Sequence, residues 1–165
     1  MLFRSIAAAG LPPPVIVLGA RADAVRAALA GRAAQFIIAD DYAEGIAHSL
    51  RAGLAAAPAG WEAALVLLAD MPRIDAPLIA TLATAPGAVI VPTWAGKRGN
   101  PVRWSRTHFT ALMALEGDVG GKAVLAGLTP VEVAATSDAI FDDIDTPAAL
   151  AALRARPVSA PQTPR

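Results

Sequence analysis

The sequence predicts an α/β fold built on a mostly parallel sheet, and two patterns predict it. Short apolar runs rich in Val, Ile and Leu alternate with Ala-rich stretches of helical length, which is typical of βαβ units. The run over residues 64–68 is apolar at every position, as expected for a strand that helices cover on both faces. The 165 residues are enough for one domain, which we expect to span residues 1–156.

Glycine and proline residues divide the first half of the chain into alternating helices and strands. Gly10 and Gly31 each end a helix, and Pro58 stops the helix that precedes the second half. The expected elements are a helix over 2–9, a strand over 15–18, a helix over 22–30, a strand over 35–39 and a helix over 45–57.

The second half continues this alternation but contains an antiparallel hairpin. Its loop is the glycine-containing segment 96–99, which joins two short apolar strands. The expected elements are strands over 64–68, 88–91, 101–104, 131–134 and 140–141, with helices over 76–83, 106–115, 122–126 and 147–154. The tail over 157–165 is rich in proline, and we expect it to be disordered.

The composition argues against several classes of function. Fourteen Lys and Arg balance fourteen Asp and Glu, so no overall positive charge attracts nucleic acid or an anionic membrane surface. The longest strongly apolar run, residues 63–69, is much shorter than the ~20 residues of a membrane helix. The chain has no cysteine, and its first residues lack the apolar core of a secretory signal, so we expect a cytoplasmic protein.

Asp70 is the first candidate site residue. In open α/β sheets, ligands bind beyond the carboxyl ends of the strands. Asp70 ends an apolar strand, and the following Met71 and Pro72 favour an extended exit from it. A carboxylate there suits a hard cation such as Mg²⁺, which binds one or two carboxylates together with water and phosphate oxygens. The same position also suits a helix cap or a solvated loop acid.

A second acidic segment, residues 142–147, precedes the last helix. If this segment is extended, Asp143 and Asp145 lie on the same side of the chain and can face one ligand. Asp145 or Thr146 also suits the N-cap position, with Pro147 as the first helical residue. The two roles do not exclude each other.

Three further segments combine small residues with positions that suit ligand binding. Residues 44–50 open a helix on which Ser49 can donate a hydrogen bond, and residues 96–101 and 117–122 are glycine-dense turns. All three patterns are also typical of ordinary connections. His48 has no partner at metal-ligand spacing, which favours a solvated or packed histidine over a metal ligand.

Five segments, taken in order, resemble the MobA-like nucleotidyltransferases, and most closely the molybdenum cofactor cytidylyltransferases. They cover the chain up to its tail, and their joint order is more specific than any one of them. The segments are AEGIAHSLRAGL over 43–54, LVLLADMP over 65–72, GNPV over 99–102, GDVGGK over 117–122 and DIDTPA over 143–148.

The resemblance implies a Rossmann-like, doubly wound sheet and a nucleotidyl transfer. An NTP, CTP in this branch, would transfer its nucleotide to the phosphate of the molybdopterin cofactor and release pyrophosphate. The implied cofactor is Mg²⁺, and a molybdenum hydroxylase is a further implied partner. Two alternatives stay open, a guanylyltransferase of the same family and a non-catalytic module that binds molybdopterin or delivers the cofactor.

The resemblance also implies roles for individual residues. Asp70 would bind Mg²⁺ and the nucleotide, and Asp145 or Asp143 would complete the metal site, with Asp70 and Asp145 as the catalytic pair. Gly45 and Ser49 would contact the nucleotide. The implied acceptor-binding residues are Gly99, Asn100, Pro101, Gly117, Asp118 and Gly120. The family often has His at Asn100 and Arg at Lys122, which leaves acceptor specificity open.

The family's glycine-rich signature loop has no counterpart in this sequence. That loop reads Leu-Ala-Ala-Gly, then Arg-Met-Gly and Lys, whereas prolines follow residues 8–10 here, so residues 2–10 resemble the helix that comes after the loop. We therefore expect an N-terminally truncated domain that lacks the first, central strand and has little or no transferase activity. A misplaced start codon, a fragment or a degenerate relative would each explain this.

Overall fold

The computed structural model describes residues 2–155 and confirms the α/β class. The tail predicted to be disordered, residues 157–165, lies outside the described residues. The helices are α1 (Leu2–Ala8), α2 (Ala22–Ala28), α3 (Ile46–Ala55), α4 (Ala76–Thr84), α5 (Phe109–Met113), α6 (Lys122–Leu125) and α7 (Pro147–Ala155). The strands are β1 (Val15–Leu18), β2 (Gln35–Ile38), β3 (Ala63–Val66), β4 (Val89–Trp94), β5 (Lys97–Arg98), β6 (Val102–Ser105) and β7 (Val131–Ala134).

Short 3₁₀ helices occupy Tyr42–Glu44, Arg106–His108 and Asp138–Phe141. None of the helices between residues 2 and 155 has the length and apolar character that a membrane crossing requires.

Capping and turn residues determine where two of these elements begin. Asp75 caps α4, because its carboxylate accepts a hydrogen bond from the N–H of Leu78 at 3.0 Å. β4 turns into β5 at Ala95 and Gly96, whose φ values of 49° and 75° suit the tight hairpin turn that joins two antiparallel strands.

The strands form two separate sheets. β1 and β2 pair in parallel as one sheet, and the larger sheet has the order β3-β6-β4-β5, with β7 parallel to β4. Val66 at the end of β3 pairs with Val102 at the start of β6, and Thr93 of β4 pairs with Ala134 at the end of β7. The carboxyl ends of β3, β4 and β7 therefore share one edge of the sheet with the start of β6.

The predicted hairpin is part of the large sheet, but the segment predicted as its loop, residues 96–99, contains the strand β5. β6 pairs antiparallel with both β3 and β4, and β5 pairs antiparallel with β4. Every antiparallel pairing within the described residues therefore involves β5 or β6, and the pairings that do not involve them are parallel. The fold is thus a parallel framework into which an antiparallel hairpin is inserted.

The prediction of a strand over residues 140–141 is wrong. These residues belong to the 3₁₀ helix Asp138–Phe141, which begins where the hydroxyl of Ser137 accepts a hydrogen bond from the N–H of Ala139 at 3.4 Å. The carbonyl of Ile140 accepts a hydrogen bond from the N–H of Asn100 at 3.1 Å, and Ile140 is only 1% exposed. Ile140 is therefore apolar because it packs in a core, not because it belongs to a sheet.

β1 and β3 each have one paired neighbour among the described strands, β2 and β6 respectively. All four residues of β3 are half-buried, although its apolar sequence is typical of a strand covered on both faces. The described strands thus form a two-stranded sheet and a five-stranded sheet.

A buried cluster supports the shared edge of the large sheet. It contains Met71 and Ile74, which follow Asp70, and Ile140, which precedes the acidic segment 142–147; their exposures are 3%, 2% and 1%. Because these apolar anchors share one core, the two acidic parts of the chain are held on the same side of the molecule.

Candidate active site at the sheet edge

The two acidic segments predicted to share a ligand are adjacent in the structure. The N–H of Ile144 donates a hydrogen bond to the backbone carbonyl of Asp70 at 3.0 Å. Asp143 and Asp145 flank Ile144 in the sequence, and both are exposed, as is Asp70. The backbone of Asp70 therefore meets the segment that contains Asp143 and Asp145. The strand predicted over 64–68 ends at Val66, so Asp70 lies in a turn four residues after β3 rather than at the end of the strand itself.

The carboxylates at this edge remain available for a ligand. Among the side chains that the structure describes, Asp70, Asp143 and Asp145 form no ion pair. Among the same side chains, no group of three or more His, Asp or Glu residues is arranged to hold a metal ion alone. An ion at this edge would thus need water or substrate oxygens besides carboxylates, which is the coordination that Mg²⁺ ordinarily has in nucleotide sites.

The predicted acceptor loop over 99–101 packs against the turn that leads to the acidic segment. The N–H of Gly99 donates to the carbonyl of Pro92 at 3.0 Å, and the peptide bond between Asn100 and Pro101 is cis. A Cβ on Gly99 would lie 2.6 Å from the carbonyl oxygen of Ile140, so only glycine allows this approach. The acceptor loop therefore borders the same edge as Asp70.

A second pair of predicted segments also meets, on the side of α3. Gly45 has a φ of 129°, and a Cβ there would overlap the carbonyl group of Gly117 and lie 2.5 Å from the nitrogen of Asp118. The N–H of Ala47 donates to the carbonyl of Gly117 at 3.2 Å. The predicted nucleotide segment that begins at Gly45 and the predicted acceptor segment at Gly117 are thus in direct backbone contact.

The remaining predicted residues lie around this contact. Ser49 is half-buried in α3, about one turn after Gly45, and Asp118 is exposed. Gly120 lies where a Cβ would be 3.8 Å from the Ile46 side chain. The predicted site residues therefore form two groups, one around Asp70 with the acidic segment and residues 99–101, and one around the start of α3 with residues 117–120.

Arg51 connects α3 to the segment that precedes Gly117, and no sequence motif singles it out. Its guanidinium donates to the carbonyl of Leu115 at 3.0 Å, and its Nε is buried without a hydrogen-bond partner. The two residues are 64 positions apart, so no local spacing could have indicated this contact.

His48 is packed, as the sequence favoured, and its partners are two acids, of which Glu44 lies four residues before it in the sequence. Its Nδ1 lies 2.5 Å from Oδ2 of Asp41, and its Nε2 lies 3.7 Å from Oε2 of Glu44. The histidine side chain is 11% exposed. Both acids precede Gly45 and His48 follows it, so these contacts fix the turn that brings α3 to Gly117.

The hydrogen bond from His48 lowers the pKa of the Asp41 carboxyl below its ordinary value of 3.8, and the charges of His48 and Arg51 act in the same direction. A depressed pKa in the folded state means that Asp41 stabilises the fold above the unfolded-state pKa and that this stability is lost on acidification. We expect Asp41→Asn to lower Tm at about pH 5 and the difference from the wild type to shrink towards about pH 2.5.

Thermal unfolding of the two proteins across this range tests the expectation. Asp40→Asn, at the exposed neighbouring acid, is the matched control and should show a smaller difference at about pH 5. An Asp41→Asn difference that grows on acidification would contradict a stabilising contact between Asp41 and His48.

Residues 2–134 match the family described as the MobA-like NTP transferase domain. The purine catabolism protein PucB of Bacillus subtilis (strain 168) is 33% identical over 116 residues, which are 67% of this chain and 56% of PucB. The chain therefore spans little more than half the length of this curated relative.

Solved structures are similar over most of the chain. Rv0371c of Mycobacterium tuberculosis H37Rv superposes with a TM-score of 0.77 at 30% identity, covering 91% of this chain and 80% of that one. A complex of Rv0371c with manganese gives a TM-score of 0.74 at 26% identity, covering 91% and 81% of the two chains. A nucleotidyl transferase from Methanothermobacter shares the fold, with a TM-score of 0.76 at 21% identity and coverage of 92% and 76%.

Proposed function

This chain belongs to the MobA-like NTP transferase family, and we propose that it carries the substrate sites of a metal-dependent cytidylyltransferase that acts on the molybdopterin cofactor. We expect it to bind CTP with a divalent cation but to show little or no transfer, because the glycine-rich signature loop has no counterpart in this sequence. In that reaction, an oxygen of the molybdopterin phosphate attacks the α-phosphorus of CTP. The new P–O bond forms as the bond to the β-phosphate oxygen breaks, and pyrophosphate leaves. Such a transfer depends on charge neutralisation and in-line placement more than on a nucleophilic side chain.

The observation that carries the proposal is the hydrogen bond between the N–H of Ile144 and the carbonyl of Asp70, at 3.0 Å. It supports Asp70 and either Asp143 or Asp145 as joint ligands of one cation, because it brings the two acidic segments to a common point. Carboxylate oxygens are the protein ligands that Mg²⁺ and Mn²⁺ prefer.

When bound, the cation would neutralise triphosphate charge and polarise the phosphoryl group that is transferred. The manganese complex of Rv0371c supports a divalent cation of this kind. In our proposal, Asp70 and Asp145 hold the cation and thereby orient the triphosphate, and Asp143 is the alternative second ligand.

The contact between Gly45 and Gly117 supports the proposed placement of the two substrates. The nucleotide would lie along the start of α3, with Gly45 and Ser49, and the acceptor would lie along Gly117, Asp118 and Gly120. Attack in line requires the two substrates to be neighbours, and the Ala47 to Gly117 hydrogen bond at 3.2 Å joins the two segments. Gly99, Asn100 and Pro101 would border the acceptor from the side of Asp70.

Nucleotide choice is tested by calorimetric titration of the protein with CTP, GTP or ATP in the presence of Mn²⁺, because binding requires no turnover. The proposal expects CTP to bind most tightly and the binding to be lost when EDTA removes the cation. Tighter binding of GTP would make the protein a guanylyltransferase, and binding that EDTA leaves unchanged would contradict the metal-dependent site. Molybdopterin added to the CTP complex is expected to bind, whereas adenosine, which lacks the aminopyrimidinone ring of a pterin, is not.

A further inference from the structure

Arg73 lies between the two acidic segments, and the proposed function does not use it. It follows Asp70 by three residues, and the buried Met71 and Ile74 on either side of it fix this loop in the core. The Arg73 side chain is 29% exposed, so its stem is packed while its guanidinium reaches the surface. Its direction is therefore set by the core rather than by solvent.

The guanidinium contacts both ends of the 3₁₀ helix that leads to the acidic segment. One nitrogen donates a hydrogen bond to the carboxylate of Asp142, and another lies 3.6 Å from Oδ1 of Asp138. A planar guanidinium can bridge two carboxylates in this way, whereas an ammonium group concentrates its charge at one point. Arg73 thus connects the loop after Asp70 to the chain that immediately precedes Asp143.

Charge explains why such a connection is needed. Residues 138–145 contain four aspartates, Asp138, Asp142, Asp143 and Asp145, which the fold brings close to Asp70. Like charges at this spacing repel each other, so the segment would tend to move away from Asp70 without a cation between them. Arg73 offsets part of the negative charge of Asp138 and Asp142, while Asp143 and Asp145 form no ion pair among the side chains that the structure describes.

The backbone shows the result of this arrangement. The Asn100 N–H binds the carbonyl of Ile140 before Asp142, and the Ile144 N–H binds the carbonyl of Asp70 after it, at 3.1 and 3.0 Å. Between these two hydrogen bonds, the side-chain contact from Arg73 to Asp142 holds the segment. A pocket of about 190 Å³ opens there, and Arg73, Asp142 and Asp143 are among its lining residues.

We propose that Arg73 is a positioning residue, which holds the acidic segment against Asp70 so that Asp143 or Asp145 faces the same cation as Asp70. The assignment of the cation rests on the proposed function, but the positioning of the segment by Arg73 does not. Arg73 acts through the carboxylates and touches neither the cation nor the nucleotide.

The test compares Arg73→Gln with Arg106→Gln. Arg106 follows β6 at its other end, away from Asn100, and donates hydrogen bonds to the carbonyls of Pro58 and Trp61 at 3.2 and 3.0 Å, so the control removes an equal charge and other guanidinium hydrogen bonds. Two quantities are measured, the dissociation constant of the Mn²⁺–CTP complex by calorimetry and the exchange rate of the Ile144 amide hydrogen by NMR without metal. Arg73→Lys serves as the conservative variant.

The proposal expects Arg73→Gln to weaken Mn²⁺–CTP binding about 10-fold and to speed Ile144 exchange, while Arg106→Gln changes neither. Arg73→Lys should recover part of the Mn²⁺–CTP affinity and part of the slow Ile144 exchange, because lysine keeps the charge but loses the bridging geometry.

Equal Mn²⁺–CTP binding and equal Ile144 exchange in the two glutamine variants would overturn the proposal. If the wild type binds no Mn²⁺–CTP, the proposed function fails, and Ile144 exchange alone decides the role of Arg73: faster exchange supports it and unchanged exchange rejects it.

Discussion

The Asp70→Asn variant is expected to bind the Mn²⁺–CTP complex about 100-fold more weakly than the wild type, with an almost unchanged Tm. An asparagine keeps the size of the side chain but has no negative charge and one fewer oxygen for a divalent cation. Because Asp70 is exposed and forms no ion pair with any side chain that the structure describes, we expect its replacement to remove no folding contact. Calorimetric titration and thermal unfolding measure the two effects separately.

Asp23→Asn is the matched control for this variant. Asp23 is likewise an exposed acid, but it lies in the first turn of α2, on the helix that joins β1 to β2. Its replacement changes the net charge equally and should leave Mn²⁺–CTP binding within about twofold. An Asp70→Asn variant that binds no more weakly than Asp23→Asn would remove Asp70 from the proposed metal site.

The largest expected loss of stability follows from Gly45→Ala. The added Cβ would overlap the carbonyl of Gly117 and lie 2.5 Å from the nitrogen of Asp118, and the φ of 129° is itself unfavourable for alanine. Overpacking costs about 1–3 kcal/mol, and a strained backbone costs about 1–3 kcal/mol more. The two costs together are about 2–6 kcal/mol, so at about 2–4 °C per kcal/mol Tm should fall by roughly 4–24 °C.

Gly117→Ala and Gly60→Ala separate the two causes of that loss. Gly117 has a φ of 62°, but a Cβ placed there would have no atom within 4 Å, so alanine meets only backbone strain. Gly60 has neither a positive φ nor a close neighbour, and its replacement should change stability by about 0.5 kcal/mol or less. A Gly45→Ala variant as stable as Gly117→Ala would contradict the close contact between α3 and residues 117–118.

Local sequence patterns predicted the elements well where one chain segment decides its own conformation. The strands over 15–18 and 131–134 have the same bounds in the structure, because apolar β-branched residues between turn-forming residues favour that state by themselves. The prediction for residues 140–141 failed because two apolar residues have no period. The sequence alone therefore could not show whether Ile140 is apolar because it packs under Gly99 or because it belongs to a strand.

The candidate site was predictable as a set of segments but not as a set of contacts. The order of motifs indicated that Asp70 belongs with the segment around Asp145, and the backbone of Asp70 does meet that of Ile144. The ion pairs of Arg73 and the packing of His48 against Asp41 depend on where side chains point after folding. Arg73 and Asp142 are 69 residues apart, a separation at which spacing carries no information.

The most direct test of a shared cation is a double-variant cycle on Mn²⁺–CTP affinity, with Asp70→Asn combined first with Asp145→Asn and then with Asp143→Asn. Two ligands of one ion depend on each other, so their effects on the dissociation constant cannot add. We predict that each chain binds one Mn²⁺–CTP complex. For one of the two pairs, with Asp145 or with Asp143, the dissociation constant of the double variant should exceed that of the weaker-binding single variant by no more than about threefold. Fully additive losses for both pairs, or two independent Mn²⁺ sites, would contradict a cation shared between the two acidic segments.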